Sequence, residues 1–539
     1  MRIKSLPLKS TSKLIQDYMN QSDKITAFFD YNPFESFDSR LNEIRKRSFQ
    51  RELLTKNLEK MNKQWNAPEA TLKQIERLSD KDSVVVIGGQ QAGVLTGPTY
   101  TINKLITIIR IAREQEEKLG IPVIPIFWIA GEDHDYEEIN HIYMLEKNKM
   151  KKHKLEQYTI EKKSISDINI EKDSLHKWIK NFFLTIPETS YTKDLYKTII
   201  ECMERADTYV DFFARLVFQL FPNEGIVLFN SADPLIRKME SDFFIDYIKS
   251  QKTIAKEVYQ TKQTLTHNGY MTTLEVEEND AHLFYKHYME RVLLIRNEND
   301  EWIGKQDEVN FSTEELIDIA LNKPELLSNN VVTRPLMQEF LFPVLAFTGG
   351  HGEISYWAAL KPMFHNFGLK MPPIIPRLSF TYIDDTIEKL IQKHHLSVNT
   401  IIQEGTETYK LNWLASKQEP PIEMIVQQLK NSIDKMHLPL RKVAFEIRDD
   451  IGHLAQKNLM IINKEIDYLE HRLTQTLKEQ YENTIADFDT LNYHLSPKGT
   501  LQERIWNIFP FINEHGIEFI RQLVNTSNSL SHNHYVVYL

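Results

Sequence analysis

Two short, uninterrupted apolar runs mark the first quarter of the chain. SVVVIGG (83–89) and PVIPIFWIAG (122–131) lack the alternation of a half-exposed strand, which predicts strands buried on both faces. Between them, TINKLITIIRIAREQEEKL (101–119) carries apolar residues at helical spacing. A strand, a helix and a second strand in this order predict a βαβ unit, and therefore a parallel sheet with right-handed crossovers.

The same pattern returns later in the chain. GIVLFNSADPLIRKM (225–239) and FPVLAFTGGHGEISYWAALKPMF (342–364) each predict a strand followed by a helix, and PPIIPRLSFTYID (372–384) leads toward another sheet edge. The lysine-rich, turn-poor stretch 146–222 predicts a helical insertion. Polar alternation in 265–333 predicts a small mixed or β-rich insertion.

From about 423 to 488 the apolar positions change to three- and four-residue steps. Between 440 and 485 there is no proline and one glycine, Gly452, which predicts a single helix extending roughly 65–70 Å at ~1.5 Å per residue. Such a helix cannot bury its apolar seam alone. It pairs either within the chain, with residues 386–435, or with a helix of another chain, and the two arrangements are compatible.

Composition narrows the class of protein. A chain of 539 residues predicts two to four domains, and 41% hydrophobic residues suffice for their cores. The net charge of −10 argues against broad binding to nucleic acid or to anionic membranes. The one cysteine, Cys202, excludes a disulfide framework and fits a reducing cytoplasm. Without a signal-like start or a run of ~18–20 apolar residues, we expect a soluble, cytoplasmic protein.

The first candidate site is the turn GGQQAGVLTGPTYTINK (88–104) after the first predicted strand. In open parallel sheets ligands bind beyond the carboxyl ends of the strands, yet neither a complete P-loop nor G-x-G-x-x-G is present. Glycines let backbone approach a ligand, and the neighbouring polar side chains can donate hydrogen bonds. Alternatively, the glycines serve tight packing of strand on helix. The predicted site residues here are Gly88, Gly89, Gln90, Gln91, Gly97, Thr99, Thr101, Asn103 and Lys104.

GEDHDYEEINH (131–141) follows the second predicted strand. We expect Asp133, His134 and Asp135 to contact a polar substrate. If a helix starts near Asp135, then His134, Glu138 and His141 share one face at a spacing that a metal could use. The pattern is not H-E-x-x-H, however, and such pairs on helices are usually structural, so no bound metal is predicted.

TGGHGEISYW (348–357) provides the third candidate. A histidine flanked by glycines at a strand end seldom serves packing, and His351 can titrate near neutral pH. The predicted site residues are Gly349, Gly350, His351 and Glu353. The absence of G-x-S-x-G makes a Ser-His-Asp hydrolase a weak hypothesis.

Taken together, GGQQAGVLTGPTYTINK, FWIAGEDHDYEEINH, FTGGHGEISYWAALKP and the late PKGTLQER (497–504) resemble one family over essentially the whole chain. It is the family of bacillithiol-synthesis cysteine-adding enzymes, the cysteine ligases of low-GC Gram-positive bacteria. The resemblance implies an α/β fold: a Rossmann-like core related to class I aminoacyl-tRNA synthetases, connecting-peptide insertions and an α-helical coiled-coil domain that forms a homodimer. It also implies that L-cysteine is added to the amine of glucosaminyl-malate, completing bacillithiol. Because the carboxylate of cysteine is a poor acyl group and must be activated, we expect ATP with Mg²⁺ as the activating co-substrate.

The resemblance divides the chain into seven segments. They are 1–148, an N-terminal segment with the first half of the Rossmann core; 149–222, a helical connecting peptide; 223–264, the core continued; 265–335, a second small insertion; 336–385, the end of the core; 386–495, the helical coiled-coil domain; and 496–539, a C-terminal segment packing on the core.

Class I synthetases use two catalytic motifs that are altered here. The stretch corresponding to their histidine-x-glycine-histidine turn is TINK (101–104), and their lysine-rich loop would fall near PRLSFT, where Arg377 and Ser379 are the substitutes. The glycine turn with Lys104 would hold a phosphate or carboxylate, and Lys104 and Arg377 are the cations nearest by motif for the malate. His351 or His134 would accept a proton from the sugar amine.

PKGTLQERIWNIFPF suggests a second nucleotide site built from Lys498, Arg504 and Trp506. The alternative is a tail that docks its aromatic side chains onto the core.

Two other functions remain open at this point. The altered motifs are compatible with a decayed synthetase-like module that binds nucleotide and acts with a partner recruited by the coiled coil. The second of these functions is that of a transferase that takes preactivated cysteine from cysteinyl-tRNA. The acidic net charge of the chain argues against this hypothesis.

Overall fold

The computed structural model describes residues 1–8, 10, 12–146, 149–157, 159, 162–418, 420–526 and 533–539. The chain forms two compact units. The first comprises Met1–Met144, Lys151–Tyr382 and Glu503–Leu539, and the second comprises Leu145–Met150 and Ile383–Gln502. Most of the second unit is therefore inserted, in sequence, between Tyr382 and Glu503 of the first.

The centre of the first unit is a five-stranded sheet in which every pair of neighbours is parallel. From one edge to the other its strands are β13 (Ile374–Pro376), β12 (Val344–Gly349), β2 (Val84–Gln90), β3 (Val123–Ile129) and β6 (Val227–Asn230). Numbered along the chain and read from β6, the order is 3-2-1-4-5, the doubly wound order of a Rossmann fold. The predicted parallel sheet is confirmed.

The apolar runs explain the sheet's place in the core. All seven residues of β3 are buried, as are the first five of β2, because helices cover both faces of a parallel sheet. Between these strands the chain crosses over through α6 (Tyr100–Leu119), which ends at Gly120 with a φ of 64°. This left-handed position favours glycine and stops the helix.

The remaining strands lie outside the parallel sheet. The stretch predicted as a mixed or β-rich insertion contains β7 (Asp280–His287), β8 (Glu290–Arg296), β9 (Trp302–Gly304), β10 (Asn310–Phe311) and β11 (Leu327–Asn329). These strands form an antiparallel sheet with the order β10-β9-β8-β7-β11. A three-stranded sheet joins β1 (Arg2–Leu6), β15 (His534–Tyr538) and β14 (Ser379–Ile383), and a two-stranded sheet joins β4 (His141–Glu146) and β5 (Lys149–Lys154).

The helices of the first unit surround these sheets. They are α1 (Lys13–Met19), α2 (Asp23–Thr26), α3 (Phe37–Ile44), α4 (Arg51–Gln64), α5 (Glu69–Arg77), α6, α7 (Tyr136–Ile139), α8 (Lys172–Thr185), α9 (Thr192–Glu204), α10 (Tyr209–Leu220), α11 (Pro234–Met239), α12 (Ser241–His267), α13 (Thr313–Asn322), α14 (Thr333–Leu341), α15 (His351–Trp357), α16 (Lys361–Asn366), α23 (Phe509–His515) and α24 (Glu518–Asn525). Single 3₁₀ turns occur at Val94–Thr96, Ile165–Asp167, Pro324–Leu326 and, at the start of the third segment, Gln502–Arg504.

Apart from the parts of β4 and β5 that it includes, the second unit is helical. It contains α17 (Asp385–Lys393), α18 (Val398–Glu404), α19 (Glu407–Ala415), α20 (Ile422–Ile447), α21 (Asp449–Gln480), α22 (Glu482–Leu495) and a 3₁₀ turn at Pro497–Gly499. The helices α17, α18 and α19 pack on α22, whose Phe488, Leu491 and Leu495 are buried.

The predicted single helix across 440–485 is wrong. Arg448 has extended backbone angles (φ −171°, ψ 143°) and separates α20 from α21, which fold back on each other. Lys430 pairs with Asp467, and His437 Nε2 lies 3.2 Å from Asn458 Oδ1, so the two helices run antiparallel. The long helix therefore pairs within the chain, with 422–447 rather than with 386–435.

The sequence does contain a reason for this break. Asp449 and Asp450 directly follow Arg448 and lie in the first turn of α21, where acidic residues interact favourably with the helix dipole. Gly452 then lets the two helices meet at the tip, because a Cβ atom at this position would overlap the ring of Phe445. The glycine is part of the turn, not a tolerated residue inside one helix.

Both helices of this α20–α21 hairpin carry large apolar side chains that are exposed. Its large exposed side chains are Met424, Ile425, Leu429, Met436, Leu438, Leu440, Val443 and Ile447 on α20, and Leu454, Met460, Ile461, Tyr468, Leu469 and Leu473 on α21. Among the helices described, none combines the length and the apolar composition needed to cross a lipid bilayer.

Candidate active site

A cavity of about 420 Å³ opens in the first unit at the carboxyl edge of the parallel sheet. It lies where β2 and β12 end, the two neighbouring strands at which the strand order reverses and where open α/β sheets bind their ligands. Nine of the residues predicted from sequence line it: Gly89, Gln90, Gln91, Lys104, Gly350, His351, Glu353, Arg377 and Arg504.

Lys104 reaches the cavity from the buried start of α6. Its side chain is 1% exposed, and Nζ donates to the Gly89 carbonyl at 2.6 Å and to Gln90 Oε1 at 3.3 Å. Nζ also lies 2.6 Å from Glu353 Oε2. Burial lowers the pKa of Lys104, and the opposite charge of Glu353 works against that shift.

Glu353 links the glycine-rich turn to this lysine. Its carboxylate accepts a hydrogen bond from the backbone N–H of Gly350 at 2.8 Å, which caps the start of α15. The same oxygen, Oε2, faces Lys104 Nζ. The first and third predicted motifs are thus joined through one carboxylate.

His351 begins α15, and its exposed side chain lines the cavity. Desolvation within the cavity and the charge of Arg377 lower the pKa of His351 below 6.5. The imidazole is therefore neutral at pH 7 and able to accept a proton.

His134 lies outside the cavity-lining set. Its Nδ1 is 3.4 Å from Arg291 Nη1, and its ring packs edge-on against Phe284 with 5.8 Å between centroids. Burial and the charge of Arg291 lower the pKa of His134. Of the two histidines predicted as bases, the structure brings only His351 to the cavity.

Arg377 is held by a buried acid. Its Nη1 and Nη2 donate to the two oxygens of Glu503 at 2.8 and 2.7 Å, and both side chains are less than a tenth exposed. Burial alone would raise the pKa of Glu503, yet Arg377 lowers it to about 2. Asn103 Nδ2 donates to the same carboxylate at 2.7 Å, so Asn103 lies behind the cavity and not in its wall.

The GEDH segment contributes to the other side. Gln91 Nε2 donates to Asp133 Oδ2 and to Glu138 Oε2, both at 2.6 Å, and Glu138 lines the cavity. Asp135 is exposed at the N-terminus of α7.

The predicted helical face for a metal is wrong. The helix α7 ends at Ile139 after four residues, His134 precedes it, and His141 belongs to β4. Within the described residues no three His, Cys, Asp or Glu side chains are grouped as metal ligands.

The following predicted residues do not line the cavity: Gly88, Gly97, Thr99, Thr101, Asn103, Asp133, Asp135, Gly349 and Ser379. At Gly88 a Cβ would lie 2.9 Å from the Thr348 carbonyl oxygen, and at Gly89 it would lie 2.7 Å from that of Trp128. Close approach of the neighbouring strands therefore accounts for both glycines. The alternative interpretation, tight packing of strand on helix, holds only at Gly88, where a Cβ would also lie 3.1 Å from the Ile108 side chain of α6. Ser379 Oγ lies 2.7 Å from His534 Nδ1 in the three-stranded sheet.

The three residues predicted for a second nucleotide site have different surroundings. Arg504 lines the cavity, and Trp506 is buried and pairs through its backbone with Tyr143. Lys498 belongs to the second unit, where its φ is 54°. This second site stays a prediction.

Eight residues that line the cavity were not among the predicted site residues: Tyr100, Trp128, Ala130, Glu138, Val331, Arg334, Gly352 and Tyr356. The most consequential is Arg334, near the start of α14, whose Nη2 is 3.4 Å from the Tyr356 hydroxyl. Its guanidinium lies 5.6 Å from the centroid of the Trp128 ring. Arg334 follows no strand and no glycine turn, so its stretch of sequence carried no signal for a site.

The cavity carries net positive charge. Its lining contains Lys104, Arg334, Arg377 and Arg504 against Glu138 and Glu353. Lys104 and Arg377 each face a carboxylate, whereas Arg334 and Arg504 have none as a salt-bridge partner within the described chain. Two unneutralised guanidiniums beside apolar and aromatic walls favour an anionic ligand.

Comparison with known proteins agrees with this architecture. Residues 1–378 match the family model described as "Bacillithiol biosynthesis BshC, N-terminal Rossmann-like domain", and residues 380–539 match "Bacillithiol biosynthesis BshC, C-terminal coiled-coil domain". Proteins named "Putative cysteine ligase BshC" are similar over the full chain. The one from Oceanobacillus iheyensis is 42% identical over 100% of both chains, that from a Geobacillus strain 39% over 100% of both, and that from Bacillus cytotoxicus 40% over 99% of both.

Proposed function

The chain belongs to the bacillithiol biosynthesis BshC family, and on this premise we propose that it is a ligase that adds L-cysteine to the amine of glucosaminyl-malate. This forms an amide bond and completes bacillithiol. The observation that carries the proposal is the positively charged cavity at the sheet's switch point, which combines anion-binding guanidiniums with a neutral histidine.

Arg334 and Arg504 are the groups that we assign to the malate carboxylates. Both line the cavity, and neither is paired with a carboxylate in the described chain. Guanidinium groups bind carboxylates through paired, charge-assisted hydrogen bonds, so a dicarboxylate substrate gains from two of them. Lys104 and Arg377, the cations nearest by motif, already face Glu353 and Glu503.

We propose ATP with Mg²⁺ as the activating co-substrate, because a carboxylate must be activated before an amine can attack it. ATP would supply a leaving group on the cysteine carboxylate. The residues fit a polyphosphate, since Lys104 places a buried ammonium at the glycine-rich turn and the cavity is net positive. Glu138, which forms no salt bridge within the described chain, would hold Mg²⁺.

His351 serves as the general base in this proposal. A sugar amine that attacks a carbonyl must lose a proton, and a neutral imidazole in the cavity can accept it. His351 lies between Gly350 and Gly352, and Glu353 fixes this backbone by capping Gly350.

We further propose a cytoplasmic homodimer that associates through the α20–α21 hairpin. The hairpin exposes apolar side chains on both helices, and a second copy would cover them. With Cys202 as its one cysteine, the chain contains no disulfide of the kind that secreted proteins use.

Product formation tests the function directly. RNase-treated protein is mixed with L-cysteine and glucosaminyl-malate, with and without ATP and Mg²⁺, and products are identified by mass spectrometry. We expect bacillithiol only in the mixture that contains ATP. Product without ATP, or only with cysteinyl-tRNA, would contradict ATP activation. A folded dimer that forms no product in any mixture would contradict an autonomous ligase.

A further inference from the structure

The structure assigns a positioning role to Glu503: by holding Arg377 and Asn103 at once, it sets the cationic wall of the cavity for the substrate. Glu503 does not line the cavity itself. It acts through the residues that it binds and through its neighbour in the chain. The inference rests on the proposed function, because the substrate anion is the malate of that proposal.

The contacts of Glu503 leave little freedom to the guanidinium. Two hydrogen bonds, at 2.7 and 2.8 Å, join the ends of Arg377 to the two carboxylate oxygens, and this fork-to-fork geometry fixes the plane of the group. Nη1 also donates to the Leu378 carbonyl at 3.1 Å. Nε–H has no hydrogen-bond partner within the described chain, so this edge remains for a ligand beside the Gly350 turn.

The charge of Glu503 is secured at neutral pH. The side chain is 3% exposed, and a buried carboxylate would ordinarily become protonated. Here Arg377 overrides burial and lowers the pKa of Glu503 to about 2. A neutral amide in its place would lose the charge that holds the arginine, although it would occupy nearly the same volume.

Glu503 also connects the site to the two residues of the first unit that flank the long insertion Ile383–Gln502. The last residue before this insertion, Tyr382, donates from its hydroxyl to Asn103 Oδ1 at 3.2 Å. Glu503, the first residue after it, accepts from Asn103 Nδ2 at 2.7 Å. The side-chain amide of Asn103, next to Lys104 in the first turn of α6, therefore forms hydrogen bonds with the residues at both ends of this insertion.

The effect extends to a second cation. Arg504 follows Glu503 and projects into the cavity as an exposed side chain without a carboxylate partner in the described chain. Because Glu503 is anchored in the interior, the backbone that carries Arg504 is anchored too. Loss of the anchor should disturb two guanidiniums and weaken substrate binding more than it slows the chemical step.

The first arm of the test compares Glu503→Gln and Glu503→Asp with Glu224→Gln. Glu224 is a buried acid that pairs with Arg113, nine residues beyond Lys104 in α6 and hence roughly 14 Å along the helix. We expect both Glu503 variants to raise KM for glucosaminyl-malate at least tenfold with kcat changed less than threefold, and Glu224→Gln to leave KM unchanged. If Glu503→Gln fails to fold, the test rests on the KM of Glu503→Asp alone, because this variant keeps the negative charge on a side chain that is one methylene shorter. An unchanged KM in the folded variants would overturn the assignment.

The second arm needs no turnover and therefore separates this inference from the proposed function. Native protein is treated with phenylglyoxal, and arginine modification is followed by peptide mass spectrometry. We expect Arg377 to react at least tenfold faster in the Glu503 variants, while the buried Arg40, paired with Glu339, stays protected. If wild type makes no bacillithiol but Arg377 reacts faster in the Glu503 variants than in wild type, the result would contradict the function and support the positioning role. An Arg377 as protected as in wild type would overturn that role.

Discussion

Lys104 Nζ and Glu353 Oε2 lie 2.6 Å apart, and they link the glycine-rich stretches that follow the neighbouring strands β2 and β12. The pair joins two motifs that are 249 residues apart in the chain. Since the ammonium is buried and also donates to the Gly89 carbonyl, its position is fixed before any ligand arrives. Preorganised charges of this kind stabilise developing negative charge without a cost of reorganisation.

Replacing Lys104 with Ala should therefore remove turnover without unfolding the protein. We expect kcat to fall by roughly 100- to 1000-fold, the size seen when one preorganised donor is lost. Activity is measured by mass spectrometry and folding by circular dichroism. Lys118→Ala is the matched control, because Lys118 lies at the other end of α6 in an exposed pair with Glu114. Wild-type activity in Lys104→Ala would exclude a catalytic role.

The histidine at the start of α15 should set the acid limb of the pH profile. The pKa of His351 is lowered below 6.5, so the neutral base is present above that value and is lost as the pH falls through the lowered pKa. We expect kcat/KM to be flat around pH 7 and to fall only below pH 6.5.

The pH profile of His351→Gln should lack this acid limb. Its rate should fall about 100- to 10,000-fold, the usual contribution of a general base. His134→Gln is the control, because His134 does not line the cavity. If the limb persists in His351→Gln and disappears in His134→Gln, the base has been misassigned.

Arg334 and Arg504 should govern the affinity for the malate part of the substrate. A charge-assisted hydrogen bond contributes about 1.5–3 kcal/mol, so each Arg→Ala change should raise KM for glucosaminyl-malate about 10- to 100-fold. The exposed Arg45, which pairs with Asp82, provides Arg45→Ala as a control for lost surface charge. Substrate lacking the malate carboxylates should show no difference between Arg504→Ala and wild type. Equal effects on both substrates would contradict the assignment.

The hairpin surface should control the oligomeric state. Met436 is 82% exposed and Leu440 is 61% exposed, and both lie on α20 one turn apart. Changing both to Glu would place two charges in an apolar interface, where desolvation makes them costly. We expect a monomer by light scattering after gel filtration. Asn431→Glu adds a charge to the same helix outside the apolar set and should stay dimeric. A monomeric wild type would contradict the proposed dimer.

The parallel sheet could be predicted because the local sequence of each strand is enough to identify it. Continuous apolar runs such as those of β2 and β3 have few alternatives to burial on both faces. The glycine turns that follow them fall at the carboxyl edge by topology alone, which brought Lys104 and His351 into the predicted site.

What escaped prediction depends on tertiary placement. Arg334 lines the cavity from near the start of α14, and Glu138 lines it while accepting a hydrogen bond from Gln91; neither placement leaves a local pattern in the sequence. At 440–485 the periodic apolar positions hid the turn, since both helices of the hairpin carry the same spacing. Arg448 and Gly452 mark that turn only once the Phe445 ring is known to lie against the glycine.

The hydrogen bonds of Asn103 with Tyr382 and Glu503 have a consequence for the synthesis and folding of this chain. The strands β2 and β12 and the residues Lys104 and His351 emerge early from the ribosome, whereas Glu503 and Arg504 follow only after the whole helical unit. At ~5–20 residues per second, the 120 residues from Ile383 to Gln502 take roughly 6–24 s to synthesise. During that interval Arg377 and Asn103 lack their shared carboxylate, and β1 lacks β15 as its pairing strand. The nascent chain thus carries the Arg377 guanidinium, which is buried in the folded protein, without the carboxylate that pairs with it. The cavity is therefore among the last parts of the molecule to reach its final structure.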